Sequence, residues 1–110
     1  MTFSDAFATV TADMLRELGV TNPATINQGN CDEWANRMQA LVGGEARWLD
    51  SMIDVDEFPI DAQPRIGHCV LIFNGRYYDS EHPEGVSHVL ILAGFEEEDA
   101  LMFDGWVCRE

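Results

Sequence analysis

Three residues in this 110-residue chain have types and an order suited to covalent acyl chemistry: Cys31, His68 and Asp79. A cysteine attacks a carbonyl as the thiolate. A helix N-terminus favours that anion through its unpaired N–H groups and its dipole. A histidine beside it takes and returns the proton, and a carboxylate behind the histidine orients the ring and stabilises its charged form. Gly29, two residues before Cys31, allows close backbone approach and frees nearby N–H groups to stabilise an oxyanion. Asp32 and Glu33 oppose the anion, so activation depends more on His68 than on the helix.

The elements that must position these residues follow from hydrophobic spacing. Phe3, Phe7, Val10, Met14 and Leu18 recur at helical intervals, predicting a core-packing helix over 3–18 stopped at Gly19. A second helix is expected from Cys31 to Val42, with Trp34, Ala35, Met38, Leu41 and Val42 as its apolar face. Asn30 is its expected N-cap, Glu33 completes a capping-box pattern, and Gly43-Gly44 ends it. Strands are expected over 47–53, 66–73, 86–93 and 100–107, with 54–63 an exposed loop and 96–99 an acidic turn.

Asn74-Gly75 is a strong two-residue hairpin signal. With these two as the loop, Phe73 pairs with Arg76, and Asp79 falls opposite Val70. That is two positions along the strand from His68, on the same face and within reach of a His–carboxylate bond. Cys69 points to the other face and reads as core. The whole is one α+β domain, N-terminal helices packed on a mostly antiparallel sheet.

Gly29-Asn30-Cys31-Asp32-Glu33-Trp34-Ala35 resembles the Gly-x-Cys-x-x-aromatic-Ala motif that opens the catalytic helix of transglutaminase-like proteins. Gly67-His68, Asn74-Gly75-Arg76 and Tyr78-Asp79 resemble the second half of that signature, in which a His begins one strand and an Asp ends the next. Asn27-Gln28-Gly29 is similar to the stretch before the nucleophile of papain-like proteases, where a Gln supplies an oxyanion donor; here Gln28 stands closer to the cysteine. The resemblance covers residues 27–80 and implies a papain-like or transglutaminase-like core. It implies Cys31 as nucleophile, His68 as proton shuttle and Asp79 as the residue holding His68. Gln28, Gly29 and Asn30 become candidate oxyanion and substrate contacts, and Trp34 a wall of the site. The implied activity is that of a cysteine-dependent amide hydrolase or acyltransferase: a protease, deamidase or transglutaminase-type enzyme acting on a protein or peptide.

Composition limits the alternatives. Twenty acidic residues against six basic ones, all Arg, leave a net charge of −14, so clustered phosphate contacts to nucleic acid are not expected. High-salt adaptation, mimicry of nucleic acid by an inhibitor, and a GC-rich genome with an acidic bias each account for this charge. The second function class is therefore a non-enzymatic acidic binding or inhibitor protein on a degenerate form of the same fold. No apolar run is long enough to span a bilayer, and the first residues do not read as a signal peptide, so a cytoplasmic location is expected. Cys31, Cys69 and Cys108 form no CxxC pair and no disulfide framework. Asp79, Glu81, His82, Glu84 and His88 crowd one loop, but their spacing fits no metal motif, and neither a metal nor a cofactor is expected.

Overall fold

Helix α1 (Phe3–Leu18) forms where the apolar spacing predicts it. Thr2 caps its first turn by accepting the Asp5 N–H, and Gly19 ends it in the left-handed conformation. The computed structural model describes residues 2–53, 55–63 and 67–103. Helix α2 (Cys31–Val42) packs on α1 and on the middle strand of the sheet. A bidentate pair joins the two helices, with both Arg37 guanidinium nitrogens donating to the Glu17 carboxylate at 2.8 Å.

The sheet has three antiparallel strands in the order β1 (Glu45–Trp48), β2 (Cys69–Phe73) and β3 (Arg76–Tyr78). Asn74 and Gly75 both take positive φ, 50° and 75°, as a tight hairpin turn of matching twist requires. Phe73 pairs with Arg76 and Leu71 with Tyr78, the register expected from the turn.

Strand alternation divides the interior into two cores. Cys69, Leu71 and Tyr78 face α1 and α2, where Met14, Trp34 and Met38 are buried. Val70, Ile72 and Tyr77 face the second cluster, built on Leu49, Phe58, Val89 and Leu90. At roughly 1.5–3 kcal/mol for each fully buried large apolar side chain, both faces of β2 stabilise the fold.

Several sequence expectations need correction. The strand expected over 47–53 ends at Trp48, because the Ser51 hydroxyl bonds the Trp48 carbonyl at 2.7 Å and closes a 3-10 turn over Leu49–Ser51. The 54–63 loop contains two further 3-10 turns, and its Phe58 is buried against Phe95 and Phe103. The apolar run expected as a strand over 86–93 forms helix α3 (Val89–Leu92) instead. Only Val86 bridges the sheet, at Tyr77. His88 caps α3 by accepting the Leu90 N–H, and a short apolar run fits a buried helix as well as a strand. The acidic turn at 96–99 starts helix α4 (Glu97–Met102), whose first turn gains from negative charge. Residues 100–102 of the last expected strand therefore lie in a helix, while Trp106 and Cys108 lie outside the described residues, as does Ile66. Among the described residues, no helix is long and apolar enough to cross a membrane.

Candidate active site

Cys31 enters α2 from a turn in which the Asn30 N–H donates to the Ile26 carbonyl at 2.9 Å. Asn30 occupies the cap position, but its side chain makes no cap hydrogen bond. Glu33 pairs with Arg37 at 3.4 Å, so the expected capping box does not form. The Cys31 side chain is 3% exposed and packs in the helix-facing core. Its Sγ accepts the backbone N–H of Cys69 at 3.4 Å.

His68 lies just before β2, where its carbonyl accepts the Leu49 N–H at 2.8 Å and pins the strand entrance. Asp79 follows β3 directly. The hairpin brings the two together: His68 Nε2 lies 3.0 Å from Asp79 Oδ2. Among the described residues His68 Nδ1 has no hydrogen-bond partner.

Asp79 is 3% exposed and its carboxylate is fully engaged. Its Oδ1 accepts the Glu81 N–H at 3.0 Å and lies 2.6 Å from His82 Nδ1. Burial by itself would raise the carboxyl. The hydrogen bonds from His68 and His82, the charge of His82 and the Glu81 N–H outweigh it and hold Asp79 below the usual carboxylate range. Asp79 is therefore an anion that accepts from both rings, so Nε2 of His68 and Nδ1 of His82 carry the protons.

These groups open on a cleft of about 470 Å³. Its polar side is formed by Asn27, Gln28, His68, Asp79, Glu81 and His82, and Ile91, Leu92 and Gly94 form the opposite wall. Cys31, Gly29 and Asn30 do not line it, whereas Gln28 does. Trp34 does not wall the site: it is 0% exposed and its Nε1 donates to the Thr11 hydroxyl at 3.1 Å within the core. Trp48 is 43% exposed on β1.

The contacts among Asn27, Ser80 and Glu81 carry no local signal in the sequence. The Ser80 hydroxyl lies 2.9 Å from the Pro23 carbonyl and 3.0 Å from Asn27 Oδ1, and Asn27 Nδ2 donates to Glu81 at 2.9 Å. These contacts tie the turn before α2 to the turn after β3. They join residues more than fifty positions apart, which no spacing rule can connect. His82 stands in the loop weighed as a metal cluster, but it bonds Asp79, and His88 of the same loop caps α3. Among the described residues no group of three or more His, Cys, Asp or Glu is arranged to hold a metal ion. No protein-family model matches the chain, and no curated protein or solved structure shows significant similarity to it.

Proposed function

We propose that this protein is a cysteine-dependent amide hydrolase or acyltransferase on a papain-like or transglutaminase-like core, acting in the cytoplasm on a protein or peptide. The observation that carries this reading is the His68–Asp79 bond at 3.0 Å, which orients the ring through Nε2 and, among the described residues, leaves Nδ1 for a thiol proton. In the reaction Cys31 Sγ bonds to the carbonyl carbon while its proton passes to His68 Nδ1. The C–N bond then breaks, the leaving amine takes that proton, and a thioester remains on Cys31. Water, or a second amine, attacks the thioester and gives its proton to His68. The thiolate leaves and is reprotonated, with the acid or the new amide released. Gln28 is the cleft-lining amide suited to the oxyanion.

One observation favours the second class, an acidic binding protein on the same scaffold. Cys31 is 3% exposed and does not line the cleft, so a carbonyl reaches the sulfur only after the site opens. Iodoacetamide labelling at near-neutral pH separates the two. The enzyme reading expects Cys31 to alkylate faster than a free thiol, and His68→Ala to slow it at least about tenfold, the scale of lost base assistance. A Cys31 that reacts no faster than a free thiol and ignores His68→Ala would sink that reading. A salt-sensitive complex with a basic partner that survives Cys31→Ala would then support binding.

A further inference from the structure

One short segment contributes both to the cleft and to the core that holds Cys31. Ala24, Asn27 and Gln28 line the cleft, whereas Ile26 is buried with Cys31 in the helix-facing core. The sulfur nevertheless touches the backbone of Cys69, the neighbour of the cleft-lining His68.

The segment is bonded within itself and held from outside at one place. Asn22 caps the 3-10 turn Pro23–Thr25 by accepting the Ala24 N–H at 3.0 Å. The Asn27 and Gln28 N–H groups donate to the Ala24 and Thr25 carbonyls, each at 3.1 Å. Among the described residues, every hydrogen bond from 22–29 to a distant part of the chain goes to Ser80 or Glu81. The hydroxyl of buried Ser80 shares its one proton between the Pro23 carbonyl at 2.9 Å and Asn27 Oδ1 at 3.0 Å. The Glu81 carboxylate accepts Asn27 Nδ2 at 2.9 Å, so the Asn27 carboxamide is gripped at both ends. Gly29 joins the segment to α2 at φ +115°, with nothing within 4 Å of the place of a Cβ, which leaves the backbone room to rotate there. Ile26 is the one buried side chain of the segment.

We propose that residues 22–29 form a gate between the cleft and Cys31, and that the Asn27 carboxamide, held by Ser80 and Glu81, is its catch. With the catch made, the thiol is sealed in the core. With it released, the segment turns about Gly29, water solvates the freed polar groups, and the cleft becomes continuous with the sulfur. The gate rests on the thiol-chemistry reading for its use in catalysis, but not for the access it controls.

The test is iodoacetamide labelling of the intact folded protein, with Cys31 and Cys69 followed separately by peptide mass. Both residues are 3% exposed. Unfolding uncovers both, whereas the gate uncovers only Cys31. Ser80→Ala and Asn27→Ala should each speed Cys31 labelling about fivefold or more, the population shift from losing one ordinary hydrogen bond, and leave Cys69 unchanged. Asn27→Asp sets one carboxylate against another and should act likewise. Combining it with Glu81→Gln reverses donor and acceptor at the same net charge, and should return the rate to that of the unsubstituted protein. Unchanged Cys31 labelling in the single variants, a parallel rise at Cys69, or a double variant as fast as Asn27→Asp alone would each overturn the gate. Labelling that follows the catch but ignores His68→Ala would sustain the gate and remove the enzyme reading. Labelling that ignores the catch but depends on His68 would do the reverse.

Discussion

The sulfur of Cys31 lies 3.4 Å from the backbone nitrogen of Cys69, so the thiol touches β2 one residue beyond His68. Two cysteines thereby share one patch of core, yet they are expected to behave differently. Burial pushes the Cys69 thiol up to about 11, helped by the neighbouring Cys31 sulfur and the Asp32 carboxylate and opposed by the Val70 N–H. At neutral pH Cys69 should stay protonated and unlabelled in the folded protein, and react once the chain is denatured. Mass mapping of alkylated peptides checks this; equal native labelling of Cys31 and Cys69 would contradict it.

Asp79 predicts a specific loss of stability in acid. Its folded carboxyl is held below the unfolded value of about 4, so its contribution is present above that value and is lost as the pH falls through the lower folded one. Asp79→Asn should flatten the acid limb of a denaturation-midpoint profile. At neutral pH it should cost on the order of 1–3 kcal/mol, because one imidazole loses its acceptor. An unchanged acid limb would show that Asp79 does not contribute to it.

Trp34→Phe distinguishes a core residue from a wall of the site. The change leaves the buried Thr11 hydroxyl without its indole donor and removes ring volume, a loss of roughly 1–3 kcal/mol for the unpaired group with a further packing cost. Thermal unfolding should register this, while the Cys31 alkylation rate in native buffer should not move. A large change in that rate with little change in midpoint would put Trp34 back in the site.

Gly85→Ala should destabilise more than its backbone strain alone. The position has φ +73°, and an added Cβ would stand 2.7 Å from the Tyr78 ring. Tyr78 is 8% exposed and directly precedes Asp79, so it has little room to yield. The expected cost is at least about 1–3 kcal/mol. Gly75→Ala has similar φ but nothing within 4 Å, so its cost should be strain alone. Equal denaturation midpoints for the two variants would remove the steric argument.

The parts of this fold readable from sequence are those where local chemistry and tertiary packing agree. Helices α1 and α2 could be read because an apolar stripe and a glycine stop coincide at Phe3–Leu18 and Cys31–Val42. The His68–Asp79 contact could be read because the Asn74-Gly75 turn admits one register. The run Val86–Ala93 could not, since its unbroken hydrophobicity carries no period and the deciding contact is the His88 cap on Leu90. The lock between Asn27, Ser80 and Glu81 was equally hidden, being made only when distant turns meet. Trp34 misled because an aromatic near a candidate nucleophile reads alike as wall or core until the face of the helix is known.

The Asn74-Gly75 turn also makes the hairpin a ruler. Adding one residue between His68 and Asp79 would slide the carboxylate by about 3.4 Å and turn it to the opposite face of the sheet. Residues 49–52 and 55–63 are not held to a strand register in this way. Length variation should therefore be tolerated there and refused between 68 and 79, whatever residues fill either stretch.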